Sequence, residues 1–99
     1  MSSLKYVALL SLLLCATTAC TKKASPEQCD QLLDRFAELV VKERFPDAGA
    51  AQVQSERDRE RGEAKADQSF KNCTSEVQAS EFQCAMKATT SEAMIKCLD

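Results

Sequence analysis

The sequence predicts a small all-α domain. It consists of antiparallel helical hairpins, about four helices, closed by two disulfides and preceded by an N-terminal signal peptide. Only 2 Gly and 2 Pro occur in 99 residues, which leaves little material for tight β-turns. Apolar residues recur at three- and four-residue steps from position 29 onward, as on one face of a helix. Four cysteines follow residue 20, an even number that suits a chain too small to rely on its core alone.

Residues 1–19 have the composition of a signal peptide. Lys5 gives a short basic region, and Val7 to Leu14 form an unbroken apolar run. This run is too short to cross a bilayer, for which about 20 residues are needed. Small residues then precede Cys20. The pattern favours an export signal over a membrane-spanning helix.

The residues TTAC at positions 17–20 resemble the lipobox of bacterial lipoproteins, in which the cysteine is diacylated after the leader is cut before it. The lipobox usually begins with Leu, where this chain has Thr17. Cys15 fits less well, because a bulky leucine precedes it. The resemblance implies lipidation at Cys20 and membrane attachment through an N-terminal diacylglyceryl-cysteine. The alternative is ordinary cleavage after Ala19, which would release a soluble protein with a free Cys20.

The resemblance also implies domain boundaries and a cellular location. We expect a lipoprotein signal peptide at residues 1–19, a lipidated tether at 20–25 and a disulfide-closed helical domain at 26–99. Thr21 follows the cysteine, whereas Asp at this position is associated with inner-membrane retention in many Gram-negative lipoproteins. We therefore expect the bacterial cell envelope, at the periplasmic face or the surface of the outer membrane.

The first predicted helix has the clearest boundaries. Ser25 is a favoured N-cap, Pro26 suits the first helical position, and Gln28 completes a capping box. Pro46 ends the helix, since proline disfavours the helical conformation of the residue before it. One apolar stripe runs between these signals: Cys29, Leu32, Leu33, Phe36, Leu39 and Val40. Such a stripe is first of all a core face.

A second helix is expected from about Ala50 to about Cys73. Its middle alternates acidic and basic residues and is almost free of apolar ones. We therefore expect a solvated helix anchored only at Phe70–Cys73; a disordered or partner-binding segment is the alternative. Loss of Lys5 leaves 12 basic against 15 acidic residues, and the two signs are interleaved. Nucleic acid is therefore not an expected partner.

The second predicted helix has too few apolar residues to cover the whole apolar stripe of the first helix. We expect Phe36, Leu39 and Val40 to stay partly exposed on the first helix. An exposed apolar surface of this kind is typical of protein contacts. The hypothesis is a partner face for a homodimer or for another envelope protein.

Two short helices complete the predicted domain. The third covers residues 79–87, with Phe82, Ala85 and Met86 turned inward alongside Cys84. The residues TTSE from Thr89 give a capping-box signal for the fourth, which carries Met94 among its apolar residues.

The four domain cysteines allow three pairings. Antiparallel helices place side by side those residues that are equidistant from the turn between them. By this measure Cys29 pairs with Cys73 about residue 51, and Cys84 pairs with Cys97 about the turn before the fourth helix. The pairing Cys73–Cys84 with Cys29–Cys97 stays open, because a turn is also predicted before the third helix. The nested pairing Cys29–Cys84 with Cys73–Cys97 fits the turns least well.

No catalytic, metal or cofactor site is expected. Structural zinc usually takes cysteines spaced C-x2-4-C, and redox catalysis a C-x-x-C pair, and the domain cysteines offer neither. The chain has no His, the commonest general base and metal ligand. We therefore predict that the protein is not an enzyme.

The cysteine-rich end of the chain carries one further resemblance. Phe82 two residues before Cys84, then Ala85-Met86, Thr90 and Cys97, resemble the end of small cysteine-paired helical lipoproteins of Leptospira and delta-proteobacteria. The resemblance implies the architecture and an envelope address, and no mechanism. We expect a lipid-anchored, non-enzymatic binding or structural module; the alternative is a soluble secreted helical effector stabilised by disulfides.

Overall fold

The computed structural model describes residues 22–99, so the predicted signal peptide and Cys20 lie outside the described residues. Six helices follow one another in this range, and apart from one isolated bridge it contains no β-structure. They are α1 (Pro26–Arg44), α2 (Ala50–Lys65), α3 (Gln68–Lys71), α4 (Cys73–Glu76), α5 (Ala79–Lys87) and α6 (Ser91–Leu98). The predicted all-α fold with two disulfides is confirmed.

Helix α1 begins as its sequence predicts. The Gln28 N–H donates to Ser25 Oγ at 3.2 Å, and the Ser25 N–H donates to Gln28 Oε1 at 2.9 Å. This reciprocal pair satisfies N–H groups that the first turn of a helix leaves without partners. The helix ends at Arg44, and the Phe45 N–H closes its last turn on the Val41 carbonyl at 2.8 Å.

Helix α1 lies at the centre of the domain. It contacts α2 most extensively and also contacts α4, α5 and α6. Its buried residues are Leu32, Leu33, Ala37, Leu39, Val40 and Val41. Leu32 and Leu39 belong to the main core cluster with Ala85 and Met94 of the α5–α6 hairpin. Since three consecutive residues, 39–41, are buried, neighbours cover more than one face of α1.

The second predicted helix is shorter than expected. Instead of reaching Cys73, α2 ends at Lys65, and the chain continues through α3 and α4. Asp67 caps α3 by accepting from the Ser69 N–H at 2.9 Å, and Asn72 precedes α4. Asp and Asn compete for nearby backbone N–H groups and so favour caps over helix interiors. The breaks let the chain turn back toward the start of α1.

The charged helix α2 is also better anchored than expected. Glu60 and Ala64 are buried, and Glu60 pairs with Arg44 of α1 at 2.9 Å. Arg61 pairs with both Asp30 and Asp34, which lie one turn apart on α1. The prediction that this helix is held only at Phe70–Cys73 is therefore wrong, whereas most of its residues are exposed to solvent as predicted. Paired charges, together with a few buried side chains, join α2 to α1.

The α5–α6 hairpin closes the other side of the core. Helix α5 has the predicted bounds, and Thr90 caps α6 by accepting from the Ala93 N–H at 3.1 Å. Ala85 and Met94 are completely buried in the core. Phe82 and Met86, predicted to point inward, are half-buried and pack against the same cluster.

Candidate functional site

The disulfide Cys29–Cys73 joins the first turns of α1 to the start of α4. Its sulfurs are 2.06 Å apart and its Cα atoms 5.9 Å apart, within the usual range for a disulfide. Cys73 is buried and Cys29 is half-buried. Spacing about the α1–α2 turn predicted this pair, and the pairing is confirmed.

The disulfide Cys84–Cys97 joins α5 to α6, with Cα atoms 5.7 Å apart. It lies nearer the surface, because Cys84 is exposed and Cys97 is half-buried. The prediction that Cys84 is turned inward is therefore wrong. The alternative pairing Cys73–Cys84 with Cys29–Cys97 is excluded. The midpoint of the Cys29–Cys73 loop lies next to the α1–α2 turn, and the midpoint of the Cys84–Cys97 loop lies at the α5–α6 turn. Each disulfide therefore joins chain segments that run antiparallel on the two sides of one turn.

A short antiparallel bridge fixes the N-terminal end of the described chain. The Ala24 N–H donates to the Val77 carbonyl at 2.8 Å, and the Ala79 N–H donates to the Lys22 carbonyl at 2.8 Å. Ala24 and Val77 are both buried in the main core cluster. The segment predicted as a polar tether is therefore attached to the domain from Lys22 onward. The local sequence gave no signal for this contact, because two lysines and an alanine have no strong strand preference.

Two charged residues of α1 hold the turn between α5 and α6. An Arg35 Nη donates to the Ala88 carbonyl at 3.2 Å. One turn past Leu39, the Glu43 carboxylate accepts from the Ser91 N–H at 2.8 Å and from Ser91 Oγ–H at 2.6 Å. These bonds, the side-chain bond first, hold the pKa of Glu43 below its usual value. Neither Arg35 nor Glu43 belongs to the apolar stripe predicted on this helix, and no sequence signal indicated either contact.

The predicted partner face is mostly covered. Leu39 and Val40 retain only 4% and 6% of their surface, so the expectation that they stay partly exposed is wrong. Leu39 is covered because the α5–α6 hairpin supplies the apolar side chains that α2 lacks. Phe36 is half-buried and packs against Phe70, with the ring centres 5.0 Å apart and the ring planes tilted by 51°. Of the three predicted residues, only Phe36 is not fully buried.

Three open cavities lie on the surface of the described domain. One of about 320 Å³ lies beside the Cys29–Cys73 disulfide and is lined by Leu33, Phe70 and two lysines, Lys65 and Lys71. A more open one of about 420 Å³ lies between Phe36 and α6. The third, about 280 Å³, lies at the α1–α2 turn and is lined by Glu38, Val41, Lys42, Phe45, Pro46, Ala48, Val53 and Arg57. Each is large enough for a small molecule or one side chain of a partner.

Residues 22–99 contain neither a cluster of metal-ligating side chains nor a membrane-spanning helix. No group of three or more His, Cys, Asp or Glu side chains in this range is placed to hold a metal ion. No helix in the same range has both the length and the apolar character needed to cross a membrane.

Comparisons with known proteins give no relative for the chain. No family model, no curated protein and no solved structure matches it. The resemblance to small spirochaetal and delta-proteobacterial lipoproteins therefore stays a prediction from the sequence.

Proposed function

We propose that the protein is a lipid-anchored lipoprotein of the bacterial cell envelope. The leader and the residues TTAC support export and acylation of Cys20. The observation that carries the proposal is the pair of disulfides. They account for all four cysteines of the described domain, and such bridges persist in oxidising compartments outside the cytoplasm. Two acyl chains on one residue are sufficient for stable attachment to a membrane.

The proposed role is a non-enzymatic binding or structural module. The surface cavities are open and carry a mixture of apolar and charged side chains, as protein-binding surfaces often do. The half-buried Phe36 and the cavity beside α6 offer an apolar contact for an envelope protein or a second copy of the chain. An outer-membrane location, at the periplasmic face or the surface, follows from Thr21 by resemblance alone.

The experiment is an intact-mass measurement on protein expressed from its own leader in a bacterial host, before and after reduction. We expect a chain that starts at Cys20, carries added acyl groups and gains four hydrogens on reduction of its two disulfides. Cys20→Ala should abolish acylation and membrane fractionation. The matched control Cys15→Ala removes the other leader cysteine and should change neither.

An unacylated chain recovered from the culture medium would contradict lipid anchoring. It would support the alternative, a soluble secreted effector, for which Cys20→Ala should have no effect. A chain without any gain on reduction would mean that the cysteines do not pair in the cell.

A further inference from the structure

The start of the described chain is hydrogen-bonded to the folded domain. Hydrogen bonds of 2.8 Å at Ala24 and Ala79 hold the chain from Lys22 onward, and the Ala24 side chain is 4% exposed. The next residues, Ser25 and Gln28, form the capping box of α1. No linker residue therefore separates this bridge from the first helix.

The link from this point to Cys20 is very short. Thr21 is the single residue between Cys20 and Lys22. Two residues span at most about 7 Å even when fully extended. Helix α1 alone has 19 residues and is therefore about 28 Å long. A domain of this size cannot turn freely on such a link.

We infer that the bilayer surface contacts the domain at one defined end, formed by Lys22, Lys23, Gln78 and Ser80. These four residues are exposed and lie on the two segments that the bridge joins. The two lysines place positive charge beside the phosphates of the lipid headgroups. This inference rests on the proposed acylation of Cys20 and adds to it a fixed orientation of the domain on the membrane.

The orientation assigns the two ends of α1 to different surroundings. Pro26 lies close to the bridge, whereas Arg44 and the α1–α2 turn lie about 28 Å away along the helix axis. The cavity lined by Val41, Phe45 and Val53 is at that distant end. It therefore faces the aqueous compartment, where a soluble partner can reach it.

The test uses tryptophan as a depth probe, because the chain has none of its own. Ser80→Trp places a probe at the membrane end, and Asp47→Trp places a matched probe at the far end; both positions are exposed. The full acylated protein is reconstituted in vesicles whose lipids carry a nitroxide on the headgroup. We expect strong quenching at position 80 and little quenching at position 47. Equal quenching at the two positions, or stronger quenching at 47, would overturn the inference.

A second variant tests the short link itself. A flexible Gly-Ser spacer inserted between Thr21 and Lys22 leaves the acylation motif and the domain intact. We expect the spacer to remove the quenching of the Ser80→Trp probe, since the domain can then leave the surface. Quenching that persists with the spacer would show that the link does not set the orientation.

Failure of the proposed acylation is recognised separately. Intact mass and flotation of the protein with the vesicles are measured before any quenching. A protein that carries no acyl group and does not float contradicts the proposed function. An acylated protein that floats without position-dependent quenching contradicts only the orientation.

Discussion

The Glu43 carboxylate on α1 accepts two hydrogen bonds from Ser91, the first residue of α6, at 2.8 Å from the N–H and 2.6 Å from the hydroxyl. One side chain thus caps a helix that is 48 positions away in sequence. Because the α5–α6 turn is also held by Arg35, the hairpin is fixed to α1 on both sides of Leu39.

We expect acid to weaken this attachment. The folded-state pKa of Glu43 lies below its unfolded value, so its contribution to stability is present above the unfolded pKa and is lost as pH falls through the folded pKa. The residue is well exposed, so the contribution is less than about 1 kcal/mol. Urea unfolding near pH 7 and near pH 3 should show a smaller acid destabilisation in Glu43→Gln than in the wild type. Glu92→Gln, at a side chain that is 81% exposed, is the matched control and should behave as wild type.

Arg61 should matter more than its neighbour Arg59. Arg61 bridges two carboxylates of α1, whereas the carboxylates that Arg59 pairs with all lie within α2. We expect Arg61→Ala to lower the free energy of unfolding by about 1 kcal/mol, and Arg59→Ala by less, as for ordinary surface pairs. The difference should shrink at high salt, because salt screens exposed charges. Equal losses in the two variants would show that Arg61 does not join the helices.

The two disulfides should contribute unequally to stability. Cys29–Cys73 spans 44 positions and Cys84–Cys97 spans 13. Loop closure predicts contributions of about 4 and about 3 kcal/mol. One variant replaces Cys29 and Cys73 with Ala, and the other replaces Cys84 and Cys97 with Ala. Urea unfolding should show the larger loss in free energy of unfolding for the first variant.

Under mild reducing conditions, the two disulfides should be reduced at different rates, because their solvent exposure differs. Cys84 is exposed whereas Cys73 is buried, so a thiol reductant should reach the α5–α6 disulfide first. Mass spectrometry after trapping with an alkylating reagent would show alkylated Cys84 and Cys97 at short times. Early alkylation of Cys29 and Cys73 would contradict this order.

The bridge at the N-terminal end can be weakened without disturbing a helix. Ala79 is the first residue of α5, where proline is favoured, but its N–H donates to Lys22. Ala79→Pro should therefore remove one of the two bridge hydrogen bonds and speed hydrogen exchange at the Ala24 N–H. The far-ultraviolet circular dichroism should stay unchanged. Ala50→Pro, at the same position of α2, is the matched control and should leave exchange at Ala24 unaltered.

Local signals predicted much of this fold. The Ser25 cap and the bounds of α5 follow from short-range chemistry that the sequence displays directly. The cap of α6 is Thr90 with Ala93, one residue later than the capping box predicted from Thr89. Turn positions favoured the observed disulfide pairing but left one alternative open, because a turn also precedes α5. The break at Asp67 before α3 was not predicted, because the residues around it have high helix propensity.

The long-range contacts could not be predicted in this way. Arg61, Glu43 and Lys22 find their partners on other elements, and no periodicity records which polar side chain meets which across a helix pair. The burial of Leu39 likewise depends on how the α5–α6 hairpin packs against α1, and local sequence patterns do not encode this tertiary contact. For the same reason the candidate partner face was overestimated.

The two disulfides also determine how the domain would carry mechanical tension. If the chain is pulled between Lys22 and Leu98, the force passes from the first turns of α1 through one disulfide to α4, and from α5 through the other disulfide to the end of α6. Residues 30–72 and 85–96 lie in covalently closed loops outside this path. A domain anchored at its N-terminal end could therefore bear tension without unfolding the α1–α2 hairpin. The two S–S bonds would keep residues 30–72 and 85–96 from adding to the extended length of the chain.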